Sequence, residues 1–253
     1  MLKITGLCAG YPGHPVLDHL DLTVLQGSFT AVVGPNGCGK STLLKALVGI
    51  LPYEGSVSFG GTPLLDLSDS QRAKTLSFLP QSRSVPQLSV EKLVLHGRFP
   101  YLGYPRRYRD EDRQAAKSAL KALGLEAFAH RELGTLSGGE RQKAYLAMLL
   151  AQDTPVILMD EPTAALDICH KFEVLNIARS LAREGRTVIM VLHELELALQ
   201  FADSIAVMDR GRVVNFGSPE ETVQSGILEQ TFRIRVMPVE TPDGLRYWME
   251  PRR

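Results

Sequence analysis

Residues 34–42 read Gly34, Pro35, Asn36, Gly37, Cys38, Gly39, Lys40, Ser41 and Thr42. Three glycines let a backbone turn tightly and bring its N–H groups against phosphate oxygens. A lysine adds a positive charge on a long stem, and a serine hydroxyl offers a hard oxygen to a cation. The spacing fits the phosphate-cradling pattern GxxxxGK(S/T). Phe29–Val33 (FTAVV) in front reads as a buried strand, and 40–50 behind carries helical spacing that stops near Gly49 and Pro52. A loop between strand and helix directs the positive end of the helix dipole at the bound anion. The expected ligand is ATP, with Lys40 on its β- and γ-phosphates and Ser41 on Mg²⁺.

Three further segments end apolar runs in groups that suit phosphate chemistry. Asp160 and Glu161 follow Val156–Met159; the first suits Mg²⁺ and the second suits polarisation of an attacking water. His193 follows Thr187–Leu192 and can donate to a γ-phosphate. Gln81 follows Leu76–Leu79 and can reach Mg²⁺ and the attacking water. Singly, each has an ordinary reading: a solvated strand-end carboxylate, a core histidine, a loop amide. Together they put four phosphate-competent groups at the carboxyl ends of buried strands, the edge where open parallel sheets bind ligands. Ser137-Gly138-Gly139-Glu140 reads locally as a capping box. Two successive glycines in a first turn weaken a helix, which a close approach to an anion would explain. Because residues 34–42 already serve this chain's own nucleotide, that anion is expected to be a nucleotide held by a second copy.

These groups require a particular scaffold. Unbroken apolar runs separated by helices indicate an α/β fold with a parallel sheet covered on both faces. Ser89–His96, Asp110–Leu123 and Gly138–Ala151 read as helices with no strand between them, so 86–150 is expected to be a helical insertion into a core of 1–85 and 151–232. Asp209-Arg210-Gly211 and Pro242-Asp243-Gly244 read as hairpin turns, and 233–253 as a C-terminal β extension. Ser218-Pro219-Glu220-Glu221 is a second capping box. The 253 residues carry 28 basic and 28 acidic side chains, a balance that gives no support for a nucleic-acid partner. No stretch approaches eighteen apolar residues, so a membrane span is not expected, and the N-terminus has no signal-peptide pattern. Cys8, Cys38 and Cys169 fit reduced thiols in a cytoplasmic protein. The histidines show no ligand spacing, so no structural metal is expected. Cys38 has two readings: flanking N–H groups and Lys40 lower its thiol pKa, so that alkylation blocks ATP binding and Mg-ATP protects it, or it is a small residue that merely fits the loop.

With these motifs in place, nearly the whole chain resembles the ATPase subunits of ABC transporters, which implies a P-loop NTPase (RecA-like) core with an inserted helical subdomain and an antiparallel β portion. Gly34–Thr42 looks like the Walker A segment, Gln81 the Q-loop glutamine, Leu136–Gln142 the signature and Val156–Asp160 the Walker B strand. Glu161 matches the catalytic glutamate, Ala165–Asp167 the D-loop and His193 the switch histidine. Tyr11 matches the aromatic residue that stacks on adenine. The D-loop reads Ala-Ala-Leu-Asp where the family more often begins with Ser. The resemblance implies two chains head to tail, with two ATP between Walker A of one and Ser137–Glu140 of the other. Ser89–Gly103 (SVEKLVLHGRFPYLG) further resembles bacterial importers of ferric siderophores, haem and cobalamin. That implies a polytopic membrane permease, an external substrate-binding protein and a peripheral position on the cytoplasmic face of the inner membrane. Leu88–Tyr104 is then expected to offer a groove to a permease helix, with Phe99, Tyr101 and Leu102 as anchors. Arg106-Arg107-Tyr108-Arg109 is either a contact for lipid phosphates or an acidic loop, or a solvated turn. A soluble ABC-type ATPase would usually carry two ATPase units or a long coiled coil. A small-molecule kinase would lack the Ser137–Gln142 segment, and only the Ser89–Gly103 resemblance opposes an exporter.

Overall fold

Phe29–Val33, Val156–Asp160 and Thr187–Val191 are strands in which every residue is buried, as their aliphatic composition requires. They belong to a computed structural model that describes residues 1–81, 85–241 and 244–252. The chain forms two units, Met1–Asp66 with Leu175–Arg253, and Leu67–Val174.

The first unit opens with β1 (Leu2–Tyr11), β2 (His14–Val24), β3 (Phe29–Val33), α1 (Lys40–Leu47), β4 (Tyr53–Phe59) and β5 (Thr62–Pro63). The second contains α2 (Asp69–Thr75), β6 (Leu76–Leu79), α3 (Val90–His96), α4 (Asp110–Ala122), α5 (Gly138–Gln152) and β7 (Val156–Asp160), and α6 (Ile168–Arg183) begins there. The first unit resumes with β8 (Thr187–Val191), α7 (Leu195–Phe201), β9 (Ser204–Asp209), β10 (Arg212–Gly217), α8 (Pro219–Gln224), α9 (Ile227–Phe232), β11 (Ile234–Thr241) and β12 (Gly244–Pro251). Among the described residues, no helix is long and apolar enough to cross a membrane.

In the first unit β3 runs parallel to both β8 and β9, and β10 closes the β9 side as an antiparallel hairpin. A second sheet, β2-β1-β4-β5, is antiparallel. The expected hairpin at Asp209–Gly211 joins β9 to β10. The hairpin near 242–244 is also present as β11 and β12, paired from Ile234↔Pro251 to Thr241↔Gly244; the turn residues 242 and 243 lie outside the described residues. The N-terminal antiparallel sheet was not read as strands from sequence. Its period of two is broken where register shifts interrupt the β1–β2 ladder and His19 adopts φ 48°, so Leu17, Leu20, Leu22 and Val24 point inward without strict alternation.

The second unit has one parallel pair, β6 with β7, in register from Leu76↔Val156 to Leu79↔Met159. Its helices are held by Arg98, which follows α3. The Arg98 Nε donates to Asp112 Oδ1 on α4 at 3.1 Å and its Nη1 donates to the Ala151 carbonyl on α5 at 3.0 Å. The other Asp112 oxygen accepts the Arg109 N–H at 2.9 Å and caps α4. Burial opposes ionisation of Asp112, but the Arg109 N–H and the Arg98 guanidinium outweigh it and hold the carboxyl below its ordinary 3.8. The pair is 12% and 5% exposed, so removing one partner leaves the other desolvated.

Asp112→Ala is expected to destabilise the second unit by about 3 kcal/mol, since breaking a buried ion pair strands a charge. Because the folded-state pKa is depressed, the wild-type contribution is complete above 3.8 and is lost as pH falls below it. Urea unfolding of wild type and variant, at neutral pH and in acid, checks both statements.

Candidate active site

Gly34 follows directly from β3. A Cβ there would lie 2.3 Å from the Met208 carbonyl oxygen and 2.7 Å from the Cys38 sulfur, and one on Gly39, at φ 109°, would lie 2.8 Å from Leu17 Cδ2. Both glycines are therefore imposed by close packing. Pro35 accepts from the Cys38 N–H at 3.3 Å, and the Cys38 carbonyl accepts from Gly211 at 3.0 Å. Asn36 and Gly37 form the exposed tip, Ser41 is half-buried and Thr42 is buried. The Lys40 Nζ donates to the Gly34 carbonyl at 2.7 Å and the Pro35 carbonyl at 2.9 Å, and the residue is 5% exposed. Helix α1 begins after Gly39 with no side-chain cap and no acidic residue in its first turn. Its first N–H groups and the lysine ammonium thus form a donor-rich site, which suits a phosphate chain.

Tyr11, at the end of β1, is 44% exposed. Its hydroxyl accepts from the Lys45 Nζ on α1 at 3.3 Å, so the ring stands beside the helix that follows the cradle. Lys45 was not singled out from sequence; its place one turn after Ser41 is the only signal. His193 is exposed, just past β8. The β8 strand neighbours β3, and the Leu192 N–H donates to Val32 at 3.1 Å, so His193 and residues 34–42 leave the sheet at the same edge.

The second unit repeats this logic. Gln81 and Asp160-Glu161 leave the adjacent strands β6 and β7 at one edge, and the Gln81 amide donates to a Glu161 carboxylate oxygen. Asp160 is 2% exposed. Glu161 sits at φ 50° and Ala165 at φ 59°, strained values for residues with a Cβ and the kind that clusters at functional turns. Ser137 caps α5 as expected, its Oγ accepting the Glu140 N–H at 3.3 Å while Glu140 Oε2 accepts the Ser137 N–H at 2.8 Å. The Ser137 hydroxyl, then its N–H, holds the Glu140 carboxyl below its ordinary 4.5. Gly138 has open space around it, whereas Gly139 lies against the His170 ring. Gln142 donates to the Pro162 carbonyl at 2.7 Å, tying α5 to the turn after β7. Asp167 accepts the His170 N–H at 3.0 Å and caps α6.

The ABC transporter family matches residues 17–164. A probable siderophore transport system ATP-binding protein, YusV of Bacillus subtilis (strain 168), is 40% identical over 93% of this chain and 87% of its own length. The chain belongs to the ABC transporter family. The hemin import ATP-binding protein HmuV of Streptomyces coelicolor is 43% identical over 90% of this chain and 81% of its own. Among solved structures, one of a transporter assigned to the metal-chelate type, in an inward-facing conformation, superposes with TM-score 0.86 at 28% identity over 99% and 96% of the two chains. A dimeric bacterial ABC transporter cassette superposes with TM-score 0.74 at 29% identity over 87% and 99%. As an ABC ATPase the chain binds and hydrolyses ATP, and its P-loop α/β fold is the one expected from sequence.

Two expectations for this ABC ATPase are corrected. Cys38 is 6% exposed, and burial raises its thiol above the ordinary 9.0 against the opposing pull of the Lys40 charge and N–H. Proximity to a cation does not activate a thiol that water cannot reach. Tyr101 is not a free anchor either, because its hydroxyl donates to the Gln152 carbonyl at 3.0 Å and its ring lies 3.7 Å from the Arg98 guanidinium. Phe99 remains 46% exposed and Leu102 half-buried. Ligand atoms of Cys8, Asp18 and His19 lie within 4.8 Å of one another. Asp18 is already engaged by Arg212 at 2.6 Å and 2.9 Å and by His19 at 2.8 Å, which explains the cluster as an ion-pair network.

With iodoacetamide at neutral pH, exposed Cys169 is expected to react first and Cys38 at least about tenfold more slowly, since reactivity follows thiolate fraction and access. Peptide mass spectrometry over a labelling time course measures both rates; equal rates would contradict the burial argument.

Proposed function

We propose that this chain is the ATP-hydrolysing subunit of a bacterial importer for a ferric siderophore or haem, working as a pair of copies on a membrane permease fed by an external binding protein. The observation that carries the ATPase half is the cradle of residues 34–42, with Lys40 buried at its centre. Identity of about two residues in five with siderophore and hemin import proteins, over nine-tenths of the chain, supports the importer half.

In this reading the Lys40 ammonium leaves the Gly34 and Pro35 carbonyls for the β- and γ-phosphate oxygens, and the N–H groups of residues 37–42 hold the phosphate chain. Tyr11 stacks on the adenine, held by Lys45. Ser41, Gln81 and Asp160 offer the hard oxygen donors that Mg²⁺ takes; the ion, once bound, neutralises charge on the phosphates. Glu161 accepts a proton from the attacking water, which Gln81 orients. The water oxygen bonds to the γ-phosphorus as its bond to the β–γ bridging oxygen breaks, and His193 donates to the γ-phosphate as charge develops. Ser137, Gly138 and Gly139 of the second copy close over that phosphate, and Asp167 lies in the segment that meets it. Most of the rate enhancement is positioning and electrostatics. The dimeric cassette with the same fold supports pairing. We also retain the division into core, helical subdomain 86–150 and C-terminal extension, with the coupling groove along Leu88–Tyr104 and Phe99 as its exposed anchor.

Glu161→Gln is expected to lower kcat roughly 10²- to 10⁴-fold, the range of a general base, and to trap an ATP-loaded dimer visible by analytical ultracentrifugation. Hydrolysis at the wild-type rate would remove Glu161 from this role. Tagged Glu161→Gln chain drawn from native membranes in mild detergent is expected to bring a polytopic membrane protein at near-equal ratio, identified by mass spectrometry. Recovery of soluble partners alone would favour an ABC-type ATPase uncoupled from transport.

A further inference from the structure

The glycine at 139 has a cause inside its own chain. A Cβ there would lie 2.3 Å from His170 Cδ2 and 2.4 Å from Nε2, so the imidazole occupies the space a side chain would need. Gly138 has no neighbour within 4 Å of a Cβ position. The same imidazole is fixed from its other side, where Nδ1 and Asp167 Oδ2 are 2.7 Å apart. The remaining Asp167 oxygen accepts the His170 N–H at 3.0 Å. One side chain therefore bridges the carboxylate that starts α6 to the first turn of α5. One turn further along, Lys143 Nζ pairs with Glu173 at 2.8 Å, and Gln142 is bonded to Pro162. The start of α5 is thus referenced to the 160–173 segment through His170, Gln142 and Lys143, and the His170 contact lies within the Ser137–Gly139 turn itself.

The capping box ties Ser137 to Glu140 within the turn and does not tie the turn to another segment. The Glu140 N–H is taken by Ser137, while the N–H groups of Gly138 and Gly139, at the first two helical positions, have no intrahelical acceptor. Those donors can serve an external anion only if the turn is placed correctly, and two glycines give the backbone no stiffness of its own. Misplacement by about 1 Å can cost ~10²-fold in rate.

We propose that His170 is a positioning residue that couples Asp167 to Gly139, so that the turn offered to the second copy's phosphate is set by the carboxylate at the start of α6. This rests on the functional reading above. A pull on Asp167 when two copies meet is passed through the imidazole to the turn, and loss of either end of the bridge releases the other.

The test uses the full chain. His170→Phe keeps a flat ring against Gly139 and the backbone N–H to Asp167 but removes the ring donor, and His170→Gln restores a side-chain donor. His170→Phe is expected to lower kcat roughly 10- to 100-fold while KM for ATP stays within about threefold, since this chain's own cradle is untouched. His170→Gln is expected to recover at least about half of the loss on a logarithmic scale, which tests the hydrogen bond apart from general destabilisation. Asp167→Asn combined with His170→Phe is expected to be no worse than the poorer single variant. In a Glu161→Gln background, ATP-driven pairing measured by analytical ultracentrifugation is expected to weaken about tenfold with His170→Phe. Wild-type kcat and pairing in His170→Phe, or losses that multiply in the double variant, would overturn the proposal. Failure of the Glu161→Gln parent itself to pair with ATP would instead overturn the functional reading.

Discussion

A buried parallel strand must be followed by a segment that leaves the sheet, because its neighbour can be reached only by a crossover. That constraint gathers the chemistry of this chain. In the first unit, β3 and β8 lie side by side and release residues 34–42 and His193 at one edge. In the second, β6 and β7 release Gln81 and Asp160-Glu161 in the same way. Strands buried on both faces are mostly aliphatic, so polar groups collect where each strand ends, the edge at which open parallel sheets bind ligands. The placement of the proposed site groups at strand ends is thus a consequence of burying the strands.

The two units fix their polar groups in different ways. The first supplies fixed donors: a loop closed by Lys40 on its own carbonyls, with glycines imposed by the Met208 carbonyl and Leu17. A lysine 5% exposed must keep its ammonium hydrogen-bonded, and the Gly34 and Pro35 carbonyls do this. The second unit supplies groups whose aim depends on helix packing. Arg98 locks three helices together through Asp112 and Ala151, so α5 is set at its far end by a desolvated ion pair and at its near end by Gln142 and His170.

Local features were legible in sequence, and contacts between distant segments were not. The strands β3, β6, β7 and β8, the three helices between 90 and 152, the capping boxes at Ser137 and Ser218 and the hairpin at Asp209–Gly211 follow from patterns a few residues long, and all are present. An antiparallel β portion followed from the family resemblance, but its strands at residues 2–24 carry no clean alternation because a bulge at His19 shifts it. The activated reading of Cys38 fails because the sequence shows that Lys40 is two residues away and says nothing of the burial that keeps water from the thiol. Tyr101 looked like an anchor because an aromatic residue in an apolar run carries no mark of the Gln152 carbonyl that receives its hydroxyl.

Gly139 gives a sharper instance of the same limit. From sequence, two glycines at a helix start imply space for something close, and an anion on the outside satisfies that requirement. The structure separates the two positions. Space beside Gly138 is open, while that beside Gly139 is filled by a histidine thirty-one residues along the chain. The requirement at Gly139 is therefore internal, whereas within its own chain Gly138 has room for a side chain. The only trace of this in the sequence is Asp167-x-x-His170, the spacing at which a capping carboxylate can also hold the ring of the residue it caps. Such a carboxylate, held below its ordinary 3.8 by the His170 N–H and then its ring, stays charged at neutral pH. It can therefore anchor the imidazole, and through it the glycine turn, whether or not a ligand is bound.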